Sequence, residues 1–231
     1  MHVDEGAVPF NFGAWHGVET SEGYLASLTA NLYGVPFSEE RTRRLAGVRY
    51  AIAGQPPPGN WSEVFEEDGL RLWEDAGALP VARTVHETVT APTREDGLRL
   101  LSDAAFDPAR QAVLTGESVA LESCAGEDRI EWRARRPARL ELEVEMACRG
   151  MLVVADTWFP GWKARLDGRE AAIHEVYGFA RGIVVPAGRH RLEMRYRPWS
   201  VTLGGALSAC GCLAALALAV WRPGPRPAPP A

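Results

Sequence analysis

A stretch of 21 residues without a charged side chain lies near the C-terminal end of this 231-residue chain. It covers residues 201–221, with the sequence VTLGGALSACGCLAALALAVW. As an α-helix rising 1.5 Å per residue, it would be about 31 Å long, which matches the hydrocarbon core of a bilayer. The stretch therefore predicts one transmembrane helix. Its many alanines and glycines lower the hydropathy, and the alternative is a buried helix of a soluble domain.

Small residues recur at a spacing of four along this stretch. The pairs are Gly204 with Ser208, Gly205 with Ala209, and Gly211 with Ala215. Small side chains let helix backbones approach closely in a bilayer, where no hydrophobic force drives helices together. We therefore expect this helix to pack against other transmembrane helices of the same or a neighbouring protein.

Charge and motif content argue against several classes of function. The net charge is -5 at pH 7, so the chain lacks the basic character typical of nucleic-acid binding, and we expect no nucleic-acid partner. No glycine-rich phosphate loop, H-E-x-x-H or G-x-S-x-G motif occurs, and the five histidines are scattered. The sequence therefore predicts no cofactor, no metal site and no complete set of catalytic residues.

Residues 111–200 carry the pattern of short strands. In the segment ARLELEVEMAC, apolar residues alternate with Glu141, Glu143 and Glu145, as in a strand with one face in solvent. Similar segments follow one another with glycine or proline at most junctions, whereas βαβ alternation is not evident. The run MLVVAD does not alternate, which predicts a central strand covered on both faces.

These patterns predict a mainly β fold class with a defined domain order. We expect an N-terminal α/β portion at residues 1–110 and an antiparallel β-sandwich or jelly roll at residues 111–200. One C-terminal transmembrane helix follows at residues 201–221. A disordered proline-rich tail is expected at residues 222–231, because such composition cannot bury a core.

The four cysteines form two unlike pairs. Cys210 and Cys212 lie in the apolar C-terminal stretch, whereas Cys124 and Cys148 lie in polar, strand-like sequence. Neither pair has the usual spacing of zinc ligands. Cys124 and Cys148 would form a disulfide in an oxidising compartment, or remain two buried thiols, and the sequence leaves both open.

The segment VVADTWFPGWKARLDG, residues 153–168, combines an acid, three aromatic residues and two turn signals. Architecture alone explains it: Asp156 bonds to turn amides, Pro-Gly and Asp-Gly form turns, and Trp162 covers the core. The functional alternative is an aromatic platform for a sugar, in which Trp158, Phe159 and Trp162 stack on the sugar and Asp156 and Lys163 provide polar contacts. The candidate sugar-binding residues are thus Asp156, Trp158, Trp162 and Lys163, and no catalytic residue is assigned.

This segment and its continuation, MLVVADTWFPGWKARLDGREAAIHEVYGFARGIVVPAGRHRLEMRYRPWSVTLGGALSACG, resemble the C-terminal signature of the YfhO-like bacterial membrane proteins. In that family a strand ends in sDtwyPGWka.vDG, and a paGrH segment and a YrP motif then lead directly into the last transmembrane helix. The segments GVRYAIAG and LRLWEDAGALPVARTV resemble two further family segments more weakly. Glu74-Asp75-Ala76 departs from the family's asparagine-proline.

The resemblance implies a function in cell-envelope glycan assembly. The YfhO-like family is similar to the polytopic GT-C type glycosyltransferases, which use lipid-linked sugars outside the bacterial cytoplasmic membrane and carry their catalytic acid in a loop near the N-terminus. This chain has no such loop, so we expect an extracytoplasmic accessory domain, from a fragment or a split gene, that is not catalytic by itself. Its partners would be other membrane helices and an envelope glycan or lipid-linked sugar. The alternative is a stand-alone membrane-anchored carbohydrate-binding or interaction module.

Overall fold

The structure, a computed structural model, describes residues 1–3, 12–20 and 32–220. Strands account for 38% of the described residues and helices for 20%, which confirms the predicted mainly β class. The helices are α1 (Phe12–His16), α2 (Glu40–Leu45), α3 (Arg94–Ser102) and α4 (Trp199–Val220). The strands are β1 (His2–Val3), β2 (Tyr50–Ile52), β3 (Ser62–Glu67), β4 (Leu70–Glu74), β5 (Ala82–Val85), β6 (Glu87–Ala91), β7 (Gln111–Thr115), β8 (Arg129–Arg136), β9 (Arg139–Met146), β10 (Gly150–Val154), β11 (Trp162–Leu166), β12 (Arg169–Ala171), β13 (His174–Val176), β14 (Ala180–Val185) and β15 (Gly188–Tyr196). The predicted tail lies outside the described residues.

The strands form three sheets. A four-stranded sheet has the order β1-β2-β4-β3, a six-stranded sheet β5-β10-β14-β13-β7-β6, and a five-stranded sheet β12-β11-β15-β9-β8. The β11–β12 hairpin turns at Asp167 and Gly168, whose φ angles of 51° and 79° are those of a two-residue hairpin turn. The predicted Asp-Gly turn is therefore confirmed.

The six- and five-stranded sheets pack face to face. Alternate residues of β9, among them Leu142 and Val144, point into one hydrophobic cluster that also contains Leu192 of β15. Leu152 of β10 and Ile183 of β14 enter the same cluster from the other sheet. Because each sheet buries one face against the other, the two sheets form the sandwich that the alternating pattern predicts.

Strand β10 is the central strand expected from its continuous apolar run. All five of its residues are buried, and it pairs with β5 on one side and β14 on the other. Leu152 and Val154 face the sandwich core, whereas Met151 and Val153 enter a second cluster on the opposite face of the sheet. This second cluster also contains Leu101 of α3, so the sheet is covered on both faces.

Within the two sheets of the sandwich, one pair of strands departs from the antiparallel expectation. Strands β6 and β7 run parallel, and α3 connects them. The helix begins after Thr93, whose side chain accepts a hydrogen bond from the Asp96 amide. This βαβ unit was not expected, since the sequence analysis looked for βαβ alternation only in residues 111–200, whereas β6 and α3 lie before them. Strands from both sides of the predicted division at residues 110 and 111 thus pair in this sheet.

Helix α4 is long and apolar enough to cross a membrane. Its mean hydropathy is 2.1, and no part of it is buried against the protein. A core helix of a soluble domain would be covered by its neighbours, so this exposure favours the membrane-spanning interpretation over the alternative. The helix begins at Trp199, two residues before the predicted stretch, and indicates membrane association.

Candidate functional site

The predicted sugar-binding segment forms a corner between β10 and β11. After β10 the chain leaves the sheet, and the Trp158 amide donates a hydrogen bond to the Phe179 carbonyl at 2.6 Å. Gly161 has a φ of 111°, a conformation that favours glycine, and Trp162 begins β11. The sequence therefore determines this corner through its Pro-Gly turn, as predicted.

The corner lies against the segment that enters α4. Trp162 pairs in register with Tyr196 of β15, and the Arg197 amide donates a hydrogen bond to the Gly161 carbonyl at 2.7 Å. A Cβ added to Gly161 would lie only 3.0 Å from the Cα of Pro198. Since Trp199 is the first residue of α4, the aromatic corner lies within a few residues of the membrane-spanning helix.

The residues of this corner line an open groove of about 400 Å³. Three of the four predicted sugar-binding residues, Trp158, Trp162 and Lys163, line it together with Phe159. Its opposite wall consists of Glu170 and the residues that follow it, up to Ile173. The groove therefore combines aromatic rings with one basic and one acidic side chain, which suits a ligand with C–H faces and hydroxyl or phosphate groups.

The indole of Trp162 already has two protein neighbours. The guanidinium carbon of Arg181 lies 3.9 Å from the centroid of the Trp162 ring, a cation–π contact. The Tyr196 ring lies at 5.5 Å, tilted by 48°. Because Arg181 covers part of this indole, Trp162 is a wall of the groove, and the more exposed Phe159 ring is better placed to stack on a ligand.

Asp156 does not line the groove. Its carboxylate forms an ion pair with Arg181 and accepts a hydrogen bond from the Thr157 amide at 2.9 Å. The Arg181 side chain is completely buried, and this burial lowers the pKa of its guanidinium while the Asp156 carboxylate raises it. Asp156 therefore holds Arg181 under Trp162 and lines a separate cavity with Thr157 and Phe179.

Sequence reasoning missed Arg181 and Glu170. Glu170 gave no signal, because it lies in ordinary polar hairpin sequence. Arg181 did give one: an arginine inside the apolar strand ARGIVV must be buried, and a buried guanidinium requires an acidic partner. The acid that follows the neighbouring strand β10 is Asp156, which pairs with it.

No protein-family model, curated protein or solved structure matches the chain significantly. The resemblance to YfhO-like proteins therefore rests on the sequence motifs alone.

A second cluster of reactive side chains lies at the opposite end of β10. Cys124 and Cys148 form a disulfide that connects the segment before β8 to the turn between β9 and β10. His86 lies beside it, with Nδ1 at 3.6 Å from the Cys148 sulfur. In the described part of the chain, His86, Cys124 and Cys148 lie close enough together to hold a metal ion. The two sulfurs, however, are bonded to each other. The sequence had left this pairing open and gave no sign of His86.

Proposed function

We propose that this chain is an extracytoplasmic accessory domain of a GT-C-like membrane glycosyltransferase of envelope glycan assembly. In this proposal the domain holds the sugar end of a lipid-linked sugar, and the catalytic chemistry belongs to a multi-helix membrane part. One observation carries the proposal: the aromatic groove lies next to Pro198, immediately before the membrane-spanning helix.

The proposed level of the groove, at the membrane surface, suits a lipid-linked sugar. The sugar and phosphate of a lipid-linked sugar lie at the membrane surface, while its lipid tail remains in the hydrocarbon core. Aromatic residues such as those of the corner are also enriched at this level of membrane proteins. Phe159 and Trp158 would stack on the sugar, Lys163 would attract the phosphate, and Glu170 would accept hydrogen bonds from hydroxyl groups.

The disulfide supports an extracytoplasmic location for the β domain. Disulfides persist in oxidising compartments, such as the bacterial periplasm and cell surface, and are rare in the cytosol. Cys124 and Cys148 are paired, whereas Cys210 and Cys212 of α4 are free. The pairing of Cys124 with Cys148 is what a domain on the outer side of the membrane would show.

Binding of a lipid-linked sugar by the full chain in lipid nanodiscs tests the proposal. Phe159→Ala and Trp158→Ala are expected to weaken binding about tenfold each, because loss of one ring–sugar stack removes about 1.4 kcal/mol. Phe65→Ala is the matched control, since Phe65 is an exposed aromatic residue on the edge strand β3 of a different sheet. Equal affinities for all three variants, or no binding by the unchanged chain, would contradict the proposal.

A comparison of binding to a free glycan and to a lipid-linked sugar distinguishes the accessory domain from the stand-alone carbohydrate-binding module. The proposal predicts that the lipid-linked sugar binds more tightly than the same sugar in soluble form, because the groove and the bilayer hold the two ends together. Equal affinity for both forms would favour the stand-alone module. Sugar transfer by this chain alone, reconstituted with lipid-linked donors, would overturn the non-catalytic assignment.

A further inference from the structure

The disulfide is exposed on one side and buried on the other. Cys124 is exposed, whereas Cys148 is 8% exposed and packs beneath it. An external thiolate must approach along the S–S axis, so it reaches the Cys124 sulfur and not the Cys148 sulfur. This difference in exposure favours attack at the Cys124 sulfur, with Cys148 as the leaving group.

His86 is positioned to stabilise that leaving group. Its Nε2 lies 2.7 Å from Oδ2 of Asp128, and its Nδ1 lies 2.9 Å from the Glu122 carbonyl and faces Cys148. Both partners carry hydrogen-bond acceptors, so each nitrogen of the His86 ring lies beside an acceptor oxygen. An imidazole ring whose nitrogen lies 3.6 Å from a sulfur is placed to stabilise the thiolate form of that sulfur.

The surroundings hold this histidine in place. Oδ1 of Asp128 accepts the Ala147 amide at 2.8 Å. Burial alone would raise the pKa of Asp128, but the hydrogen bonds from Ala147, Thr84 and His86 and the charge of His86 lower it below its usual value, so the carboxylate remains charged. Gly150 leaves room for the ring, since a Cβ there would lie 2.7 Å from Cε1 of His86.

The other charged groups near this cluster do not replace His86. The Glu122 carboxylate accepts a hydrogen bond from the Arg149 amide, and the Arg149 guanidinium donates to the Ala120 carbonyl. The Arg149 guanidinium is thus engaged elsewhere, and the His86 ring is the group that faces the Cys148 sulfur.

We propose that Cys124, Cys148, His86 and Asp128 form a thiol–disulfide exchange site that reacts with an external dithiol. This inference is independent of the sugar-binding proposal. The first thiolate of the dithiol attacks the Cys124 sulfur, a mixed disulfide forms, and the electron pair of the broken bond passes to Cys148 as a thiolate beside His86. The second thiol of the dithiol then attacks the mixed disulfide and releases Cys124. The external dithiol is oxidised to a disulfide, and the protein disulfide is reduced to two thiols.

Reaction with reduced glutathione tests the direction of attack. The full chain in detergent micelles, carrying Cys210→Ala and Cys212→Ala, is mixed with glutathione and EDTA, quenched with iodoacetamide and analysed by peptide mass spectrometry. The site predicts glutathione on Cys124 and the alkyl group on Cys148. Glutathione mainly on Cys148, or equally on both cysteines, would overturn the proposal. This test needs no substitution of His86.

The rate of the same reaction tests the role of His86. His86→Gln is expected to slow reduction about tenfold, because loss of the ring beside Cys148 removes a group that stabilises the leaving thiolate. His174→Gln is the matched control, because His174 forms a similar pair with Glu117 at 2.9 Å, whereas no cysteine is described beside it. Urea unfolding of each oxidised variant verifies folding. Equal rates for the two histidine variants would mean that the disulfide is structural only.

Discussion

At the scale of single residues, Arg181 connects the core to the candidate site. It is completely buried in β14, yet its guanidinium lies under the Trp162 ring and pairs with Asp156. The apolar strand that carries it was evident from the sequence, but its contact with Trp162 required the packing of two sheets. Asp156 thus has a structural role in the place where sequence reasoning had assigned a sugar contact.

Loss of the Asp156 charge is expected to destabilise the protein. Asp156→Asn should lower the free energy of unfolding by about 1–3 kcal/mol, because a buried guanidinium loses its charged partner. Urea denaturation measures this change. Glu170→Gln, at an exposed acid on the groove wall, is the control and should change stability by less than about 0.5 kcal/mol.

A second substitution in the same pair verifies the cause. Asp156→Asn combined with Arg181→Met should recover part of the lost stability, since an uncharged side chain of similar length no longer needs a charged partner. A double variant less stable than the sum of the two single changes would contradict this explanation.

At the scale of elements, the outer face of the five-stranded sheet carries a network of ion pairs. Glu143 of β9 accepts hydrogen bonds from Arg133 of β8 at 3.0 Å and from Arg189 of β15 at 2.9 Å. These two hydrogen bonds, together with the positive charges, lower the pKa of Glu143 to about 2 from its usual 4.5. The alternating glutamates that predicted a wet sheet face therefore also join three neighbouring strands.

This network predicts a pH-dependent difference between the protein and a Glu143→Gln variant. A carboxyl group whose pKa is lower in the folded state stabilises that state fully above the unfolded pKa, and the contribution is lost as the pH falls through the folded value. The variant should therefore be less stable at pH 6, and the difference should shrink between pH 4.5 and pH 2. Urea denaturation across this range measures it.

The control for this prediction lies on the same face of the same strand. Glu145→Gln removes a charge two residues along β9 and should give a smaller difference at pH 6. High salt should also reduce the effect of Glu143→Gln, because exposed ion pairs are screened. A difference that grows on acidification would contradict the sign of the pKa shift.

At the scale of the whole molecule, one end of the sandwich continues into the membrane-spanning helix. Strand β15 ends at Tyr196, and α4 begins at Trp199. Only two residues separate the two elements, so the proposed membrane-spanning role of α4 would place the membrane surface close to the corner that contains Trp162. The short connection therefore relates the candidate groove to the bilayer.

A charge in the middle of α4 is expected to reduce membrane association. Leu213→Arg places an arginine near the centre of the helix, at a cost of about 2.5–3.5 kcal/mol for insertion. Flotation of the protein with vesicles measures the membrane-bound fraction, which should fall. Ser200→Arg at the first turn is the control, because an arginine there reaches the interface, and equal loss for both variants would argue against a spanning helix.

The sequence by itself determined the features that depend on local spacing: the β class, the central strand β10, the Asp-Gly hairpin, the corner at Gly161 and the apolar helix. These follow from side-chain period, backbone preference and the length of uncharged sequence, which act between near neighbours.

Only the tertiary structure decided which distant residues meet. It paired Arg181 with Asp156, joined Cys124 to Cys148 beside His86, and separated Asp156 from the groove that holds Trp158 and Lys163. It also made β6 and β7 parallel neighbours. Such contacts depend on strand order and on the packing of one sheet against another. These contacts join residues that are far apart in the chain, so no local sequence pattern predicts them.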